Sequence, residues 1–406
     1  MKTYDVAIIG GGPAGTHAAL EACKRGLSVL LLERDVVGGV CLNRGCVPTK
    51  ILLHAVKELR RIREDDPLFG IRVENVHIDL LALRRRIDRT VIRLRVGLEN
   101  QLKEAGADLV FETALNYSTN VAGTLQIRCE HGEFSARNLV LAMGGENKVP
   151  PIAGLRNAVQ KDIAVFSDRA WDFSAVPMRV AVIGSGAAGL EYATIFAGLG
   201  SDVALFEAMD RLGGKLLHPK VASHLKSAYE KRGIKVFLNT SIKEITSDGS
   251  LLAAGKRMTF DRIVLALGTT PLAPSLLTDE NIVSLNDCST RTNHPNVFVA
   301  GDISGDPMTA DSAEVEGIVA IRNICGEHGV VPTDIPVKIY SDPEILIEHH
   351  CIPDESSTIV REEIIPLAWS KEYLLKHPKD QGFKIRTFSA ENNLLTSITI
   401  GEEIIF

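Results

Sequence analysis

The sequence predicts an α/β protein whose fold is built mainly from two glycine-rich βαβ units. The first observation is an internal repeat: a strand, a glycine-rich turn, a helix and a second strand ending in Glu occur over residues 4–33 and again over 180–207. The second is the length of 406 residues, which exceeds what one hydrophobic core usually organises. The third is the composition, 45% hydrophobic and 24% charged, which is typical of folded α/β proteins.

The first copy of the repeat combines three spaced glycines with a terminal carboxylate. After a strand at 4–9 come Gly10, Gly12 and Gly15, then a helix to about residue 25 and a strand that ends at Glu33. Gly10 permits a tight turn, Gly12 lets a pyrophosphate approach the backbone, and Gly15 lets the helix pack closely on the strand. The helix start supplies N–H groups and a positive dipole for phosphates, and Glu33 can accept hydrogen bonds from a ribose. This copy predicts a dinucleotide site.

The second copy follows the same plan with Gly184, Gly186, Gly189 and a terminal Glu207. One such motif would be weak evidence, because glycines occur in many turns for purely conformational reasons. Two copies in the same strand and helix context are a strong indication of two dinucleotide sites. The carboxylate of Glu207 favours NAD over NADP, since a 2′-phosphate would call for Arg or Lys at this position.

The remaining patterns divide the chain into four segments. Helices are predicted over about 78–105 and 310–325, and short strands follow residue 332. The predicted fold class is α/β, with two Rossmann-like dinucleotide-binding domains and a smaller α+β domain. The segments are 1–148 for the first dinucleotide-binding domain, 149–270 for the second, 271–331 for a return to the first, and 332–406 for the small domain.

Charge and hydropathy exclude several function classes. The net charge is −6, and the basic run at 84–86 lies beside Asp79 and Asp88 at helical spacing, so it is interpreted as a solvated helix face. A nucleic-acid partner would need a one-sided basic surface. No apolar stretch reaches the length of a membrane span, and the amino terminus enters a strand-like segment directly. We therefore expect a cytoplasmic protein without a membrane or nucleic-acid partner.

Two of the seven cysteines stand close together, whereas the others are scattered. Cys41 and Cys46 flank Gly45 and follow Glu33 by a few residues. Three interpretations are open: a redox-active pair, a structural zinc half-site, or two inert thiols. Zinc is disfavoured because no second Cys/His pair has ligand spacing, and inert thiols are disfavoured because the segment adjoins a dinucleotide motif.

The segment from Gly38 to Lys50 has the pattern Gly-Gly-x-Cys-(four residues)-Cys-x-Pro-Thr-Lys. With this pattern the chain resembles the flavin-dependent pyridine nucleotide–disulfide oxidoreductases, and within that family the dihydrolipoamide dehydrogenases. The resemblance extends from residue 4 to about 401. Supporting pieces lie at 184–191, 266–268, 300–302, 307–310 and 340–344.

The resemblance implies FAD in the first nucleotide fold and NAD in the second. It implies that Cys41 is the interchange thiol that meets a dithiol or disulfide substrate, and that Cys46 is the charge-transfer thiol beside the flavin. Lys50 would lie near the flavin, paired with Glu191. Surface ion pairing and turn capping stay open as alternatives for the charged residues taken singly. Further implied cofactor contacts are Gly39, Ala114, Gly144, Asp302 and Ala310 for FAD and Gly268 for NAD.

The resemblance also raises an expectation about the carboxy-terminal domain. Members of the family carry a His-Pro-His-Pro-type motif and a Glu in an interface domain, and that His serves as acid/base across a homodimer. The chain to Phe406 resembles only the middle strands of that domain, so we expect a shortened interface domain, a weakened homodimer and weak dihydrolipoamide turnover. His349, His350 and His377 lie too early to replace the missing residue and are interpreted as exposed loop histidines.

Two alternatives to an NAD-linked disulfide oxidoreductase remain at this point. One is an NADH-dependent reductase of another acceptor, such as a small disulfide, a quinone or a metal ion. The other is a flavin-bearing redox subunit of a larger complex that does not turn over by itself. Steady-state rates with NADH against a panel of acceptors distinguish them.

Overall fold

The computed structural model describes residues 2–273, 277–278, 282, 284–285, 288–305, 307–332, 334–350, 361–367, 382–388 and 394–401. The chain forms two compact units. The four-segment division predicted from the sequence is a finer scheme and stays a prediction. The first unit comprises Met1–Val47, Asp88–Lys148 and Thr269–Pro332, and the second comprises Pro48–Ile87, Val149–Gly268 and Thr333–Phe406.

The helices and strands are numbered in chain order. The helices are α1 (Pro13–Lys24), α2 (Gly39–Asn43), α3 (Cys46–Arg60), α4 (Leu80–Glu104), α5 (Leu155–Gln160), α6 (Ala187–Gly198), α7 (Pro219–Lys231) and α8 (Ala310–Ile324). The strands are β1 (Thr3–Ile9), β2 (Val29–Glu33), β3 (Asp108–Phe111), β4 (Ala114–Thr119), β5 (Leu125–Cys129), β6 (Glu133–Leu141), β7 (Gly145–Asn147), β8 (Ala164–Phe166), β9 (Arg179–Ile183), β10 (Asp202–Phe206), β11 (Lys235–Phe237), β12 (Ile242–Ile245), β13 (Ser250–Ala253), β14 (Lys256–Thr259), β15 (Arg262–Leu265), β16 (Thr269–Pro271), β17 (Val297–Val299), β18 (Val337–Ile339), β19 (Glu344–His350), β20 (Arg361–Pro366), β21 (Phe383–Phe388) and β22 (Leu394–Gly401).

The first unit contains a parallel layer in the order β3-β2-β1-β6-β17. All five residues of β2 are buried, as expected of a parallel strand with both faces covered. The amino-terminal part of β6 also pairs with β5 in antiparallel register, and β5 pairs with β4. One strand thus belongs to both the nucleotide-binding layer and an antiparallel meander.

The second unit repeats this plan with a parallel sheet in the order β11-β10-β9-β15-β8. Its antiparallel meander is a separate sheet of three strands, β12-β13-β14. A five-stranded antiparallel sheet, β18-β19-β22-β21-β20, completes the described part of this unit. The internal repeat and the α/β class predicted from the sequence are confirmed, and the predicted helices over 78–105 and 310–325 are α4 and α8.

Small residues let α1 and α8 pack closely in the first unit. Ala18 on α1 and Ala320 on α8 are fully buried in the same apolar cluster. A Cβ added to Gly317 would lie 2.1 Å from the carbonyl oxygen of Ala14. The two helix backbones therefore approach to a distance that only glycine permits. Among the described residues, no helix is long and apolar enough to cross a membrane.

Replacing Gly317 with Ala is expected to destabilise the first unit, because the new methyl group would overlap a backbone oxygen. Overpacking of this kind costs about 1–3 kcal/mol. The matched control is Gly97→Ala on α4, where the added Cβ would meet no described atom within 4 Å and the higher helix propensity of Ala adds up to about 1 kcal/mol. Urea unfolding of both variants measures the difference. Equal stability of Gly317→Ala and the unaltered protein would contradict the close packing of α1 on α8.

Candidate functional site

The first glycine-rich turn brings a strand end, the turn and a helix start into backbone contact. Gly10 has a φ of 107°, and a Cβ built on it would lie 2.3 Å from the carbonyl oxygen of Ala142. A Cβ on Gly15 would lie 1.8 Å from the carbonyl oxygen of Gly10. A side chain fits at neither position, so the first turn of α1 is held against the carboxyl end of β1.

The second turn, in the second unit, has the same geometry. Gly184 has a φ of 95°, and its added Cβ would lie 2.3 Å from the carbonyl oxygen of Ala266. A Cβ on Gly189 would lie 1.9 Å from the carbonyl oxygen of Gly184. The predicted glycine roles in turn formation and close packing therefore correspond to real backbone constraints in both units.

Both helix starts have room and donors for a phosphate group. Gly12 and Gly186 are the N-caps of α1 and α6, so neither helix is capped by a side chain of its N-cap residue. Among the described residues, a Cβ on Gly186 would meet nothing within 4 Å, and one on Gly12 would meet only the Cα of Gly39 at 3.9 Å. The N–H groups of a first helical turn have no intrahelical partners, and such a turn binds anions. Both turns fit a dinucleotide pyrophosphate.

The two predicted ribose-binding carboxylates are folded back onto their glycine turns. Glu33 accepts a hydrogen bond from the N–H of Gly11 at 2.7 Å and another from the N–H of Asp35 at 2.9 Å. Glu207 accepts from the N–H of Ser185 at 3.0 Å and from its hydroxyl. Each carboxylate is thereby fixed beside a helix start, where the ribose next to a bound pyrophosphate would lie.

A partly buried carboxylate at the end of β17 also fits a cofactor. Asp302 has no hydrogen-bond donor among the described residues, and burial raises the pKa of its carboxyl group. The turn that contains Asp302 is held by Glu316 on α8, which accepts from the N–H of Gly301 at 2.8 Å and from the hydroxyl of Ser304 at 2.6 Å. Burial also raises the pKa of Glu316. A hydroxyl group of a bound cofactor could donate a hydrogen bond to Asp302. The residues at this strand end therefore fit FAD.

Glu316 was not singled out in the sequence. The signal that could have found it is its helical spacing: Glu316 falls on the same helix face as the small residues Ala313, Gly317 and Ala320. Buried carboxylates of this kind are rare unless they accept several hydrogen bonds.

The two predicted redox cysteines lie in consecutive helical segments of the first unit. Cys41 lies in α2, and Cys46 is the first residue of α3. The N–H groups of Arg44 and Gly45 both donate to the carbonyl oxygen of Val40, at 2.9 and 2.6 Å. A Cβ on Gly45 would lie 3.6 Å from the Cα of Cys41, so the chain folds back on itself between the two thiols. Both cysteines are half-buried, and the start of a helix favours a thiolate at Cys46.

A side chain between the cysteines ties this segment to the first glycine turn. Asn43 donates to the carbonyl oxygens of Val37 and Gly39, each at 2.9 Å. The N–H of Gly38 donates to the carbonyl oxygen of Gly11 at 2.6 Å. Asn43 was missed in the sequence, although an Asn in a glycine-rich turn commonly makes such local hydrogen bonds. The cysteine segment is thus fixed directly to the predicted FAD turn.

The predicted Lys50–Glu191 pair forms in the second unit. The ammonium group of Lys50 contacts both carboxylate oxygens of Glu191, at 2.9 and 3.0 Å. Glu191 also accepts from the backbone N–H of Tyr340 at 3.1 Å, and the ring of Tyr340 lies 4.5 Å from the ammonium nitrogen of Lys50. One residue therefore contacts both members of the pair. Glu191 is buried, so the ion pair is only partly screened by solvent.

Further along α3, two ion pairs connect the helix to residues 342–344. Lys57 lies 2.6 Å and Lys338 lies 3.0 Å from the carboxylate of Glu344. Burial alone would raise the pKa of Glu344, but the two lysines outweigh it and lower the pKa. Arg60 contacts Asp342 at 2.9 Å. Through Lys57 and Arg60, the carboxy-terminal half of α3 is held against residues 342–344 of the same unit.

The remaining predicted contact residues lie at strand and helix ends. Ala114 begins β4 and Ala310 begins α8, while Gly144 lies between β6 and β7, all in the first unit. Gly268 lies after β15 in the second unit, and both glycines have positive φ, 76° and 81°. Their roles as FAD and NAD contacts stay predictions.

Several expectations concern residues without described side chains. His377, Cys351 and the side chains of His349 and His350 lie outside the described residues. The backbones of His349 and His350 belong to β19 and pair with Ser397 and Thr396 of β22, so the prediction that they lie in a loop is wrong. The homodimer implied by the resemblance stays a prediction. In the part of the chain that the structure describes, no group of three or more His, Cys, Asp or Glu could hold a metal ion.

Curated relatives match most of the chain. Dihydrolipoyl dehydrogenase from Chlamydia trachomatis is 31% identical over 358 residues, which is 85% of this chain and 75% of the relative. Dihydrolipoyl dehydrogenase from Acholeplasma laidlawii is 31% identical over 336 residues, covering 80% of this chain and 96% of the relative. The enzyme of the same name from Thermus scotoductus is 31% identical over 370 residues, covering 85% and 76%.

Solved structures share the fold at lower sequence identity. LpdA from Mycobacterium tuberculosis aligns with a TM-score of 0.82 and 21% identity, over 97% of this chain and 89% of that one. The HOCl-induced flavoprotein disulfide reductase RclA from Escherichia coli aligns with a TM-score of 0.79 and 19% identity, over 98% and 90%. The family model for pyridine nucleotide-disulphide oxidoreductases matches residues 4–317. With its two glycine-rich nucleotide turns and the cysteine pair between them in sequence, this chain belongs to the pyridine nucleotide-disulphide oxidoreductase family.

Proposed function

We propose that this protein is an FAD-dependent, NAD-linked disulfide oxidoreductase that exchanges electrons with an external dithiol or disulfide through Cys41 and Cys46. The observation that carries this proposal is the cysteine segment. It folds back on itself at Gly45 and is hydrogen-bonded to the first glycine turn through Gly38. A chain that turns back between two thiols next to a dinucleotide turn supports a reversible disulfide between them.

FAD and NAD are assigned to different units. The turn at Gly12, the carboxylates of Glu33 and Asp302 and the start of α8 would hold FAD in the first unit, whereas the turn at Gly186 and the carboxylate of Glu207 would hold NAD in the second. When bound, the flavin supplies two-electron transfer between the nicotinamide and the disulfide. The chain supplies binding, orientation and the charge around the reacting groups.

The cysteines carry the exchange with the external substrate. In the reducing direction, a hydride from NADH and one proton convert the Cys41–Cys46 disulfide to two thiols. Cys41 then loses its proton and attacks an external disulfide as the thiolate, which forms a mixed disulfide and releases one external thiolate that takes up a proton. The Cys46 thiolate attacks the sulfur of Cys41, which restores the internal disulfide and releases the second external thiolate. All steps are reversible, so an external dithiol can equally reduce NAD⁺.

Lys50 is assigned an electrostatic role. Its ammonium group is held by Glu191 and by the ring of Tyr340, so its position is restrained on two sides. A fixed positive charge stabilises negative charge that develops on a reduced cofactor, because no reorganisation is needed during the reaction.

We assign the protein to the cytoplasm, where NAD(H) and dithiols are available.

The purified protein should contain FAD and prefer NADH over NADPH by about tenfold or more, because Glu207 would repel a 2′-phosphate with at least about 1.4 kcal/mol. Glu207→Arg should narrow or invert this preference. Anaerobic stopped-flow reduction with each nucleotide measures it. Faster reduction of the unaltered protein by NADPH would show that the assignment of NAD is wrong.

Peptide mapping of the oxidised protein should recover a Cys41–Cys46 cross-link that NADH converts to two alkylatable thiols. Cys129 is the internal control, because burial raises its pKa to about 11 and its thiol should stay unmodified at pH 8. Cys41→Ser should abolish disulfide reduction while leaving NADH binding intact. Resistance of both cysteines to alkylation before and after NADH would refute a redox-active pair.

Lys50→Met should lower the free energy of unfolding by about 1–3 kcal/mol, because the buried carboxylate of Glu191 loses its cation. The double variant Lys50→Met/Glu191→Met should regain part of this stability, since no unpaired charge remains. Lys226→Met, which breaks the exposed i,i+4 pair with Glu230, is the control and should change stability by less than about 0.5 kcal/mol. A double variant less stable than Lys50→Met alone would mean that the pair is not the stabilising interaction.

A further inference from the structure

The two ribose-binding carboxylates differ by one hydrogen bond. Glu33 accepts one backbone hydrogen bond on each oxygen: Oε2 from Gly11 at 2.7 Å and Oε1 from Asp35 at 2.9 Å. Glu207 has the equivalent pair, Oε2 from the N–H of Ser185 at 3.0 Å and Oε1 from the N–H of Met209 at 2.8 Å. In addition, the hydroxyl of Ser185 donates to Oε2 of Glu207.

The extra donor comes from the residue type at one position of the glycine turn. The first turn has Gly11 where the second has Ser185. Gly11 has no side chain that could reach Glu33, whereas the hydroxyl of Ser185 is bonded to Glu207. The two motifs also differ at Pro13 and Ala187, but neither of these side chains can donate a hydrogen bond, so the serine alone adds a donor.

The extra hydrogen bond reduces the number of acceptor positions that Glu207 keeps free for a ligand. An ionised carboxylate has about four acceptor positions, two on each oxygen. Glu33 uses one on each oxygen and keeps one on each, which suits the two neighbouring hydroxyls of a ribose. Glu207 uses both positions of Oε2 and one of Oε1, so a single position remains for a ribose hydroxyl.

The hydroxyl of Ser185 is fixed in this role. Ser185 is fully buried, and its Oγ accepts from the N–H of Gly213 at 3.0 Å. With its acceptor side occupied by Gly213, the hydroxyl proton is directed to Glu207. The N–H of Gly213 also reaches the carbonyl oxygen of Ser185 at 3.1 Å. Removal of the hydroxyl therefore leaves Gly213 with a hydrogen-bond partner.

We propose that Ser185 sets the affinity for NADH, because its hydroxyl occupies an acceptor position of Glu207 that a ribose hydroxyl would otherwise use. This inference rests on the proposed function, in which the second unit binds NAD(H). FAD stays bound through many turnovers, whereas NAD(H) has to leave in each one. Glu207, in the second unit, has fewer free acceptor positions than Glu33, in the first. This difference favours release of NAD(H) in each turnover.

Ser185→Ala tests the proposal, because it leaves Glu207 with the same two backbone donors that Glu33 has. The measurement is the dissociation constant of NADH and of NADPH for the FAD-loaded protein, reduced beforehand with dithionite so that no hydride is transferred, by anaerobic isothermal titration calorimetry. NADH should bind about tenfold more tightly, the effect of one hydrogen bond to a charged group. NADPH should change by less than about twofold, because its 2′-phosphorylated ribose keeps only the 3′-hydroxyl, for which Glu207 already has a free acceptor position. If the substitution merely loosened the turn, the dissociation constants of NADH and NADPH would change in the same direction, which would contradict the proposal.

Three further variants make the outcome decisive. Ser185→Gly reproduces Gly11 and should show the same tightening. In a Glu207→Ala background, Ser185→Ala should leave NADH affinity unchanged, because the carboxylate on which it acts is gone. The matched control is Ser201→Ala, which removes a hydroxyl bonded to the carbonyl oxygen of Pro177 and should change neither dissociation constant.

The outcomes separate this inference from the proposed function. Unchanged or weaker NADH binding in both Ser185→Ala and Ser185→Gly, with normal binding by the unaltered protein, overturns the role of Ser185. Failure of the unaltered FAD-loaded protein to bind NADH overturns the proposed function instead.

Discussion

The architecture depends on the contact between a helix start and the glycine turn before it. In both units a side chain at the last glycine of the motif, Gly15 or Gly189, would overlap a backbone oxygen, at 1.8 and 1.9 Å. This contact holds the first turn of α1 and of α6 at the carboxyl end of a parallel strand. The N–H groups of the helix start then face the space where a phosphate can bind. The close approach of helix to turn at Gly15 and Gly189 therefore also forms the nucleotide site.

Around these turns the chain places carboxylates with different hydrogen-bond environments. Glu33 and Glu207 are turned onto backbone donors and keep part of their acceptor capacity. Asp302 has no donor among the described residues, while Glu316 is used up in holding the turn beside it. Asp302 is only partly buried, so solvent or a cofactor hydroxyl can donate to it, and its role as an FAD contact stays a prediction. The hydrogen-bond partners thus distinguish Glu316, which stabilises the turn, from Asp302, which keeps its acceptor positions for other groups.

Charge pairing fixes the helix that follows the cysteines. Lys50, Lys57 and Arg60 on α3 meet carboxylates of the second unit at 2.6–2.9 Å, and Tyr340 contacts both Lys50 and Glu191. Three such contacts along one helix leave its side chains little freedom to reorient. The ammonium group of Lys50 is thus held in a fixed position within the second unit.

The sequence by itself determined the features that depend on short-range rules. The glycine spacing at Gly10 and Gly184, the apolar strands before them and the acidic strand ends predicted both dinucleotide folds, because turn chemistry and short apolar runs act over a few residues. The cysteine pair was found for the same reason. Only the tertiary structure decided which distant groups meet: the turn-holding contact of Glu316 with Gly301, the bond from Ser185 to Glu207 and the contact of Tyr340 with the Lys50 pair. The physical reason is that a polar side chain has the same local pattern whether it faces solvent or a partner, and only the packing of the chain brings that partner within hydrogen-bond distance.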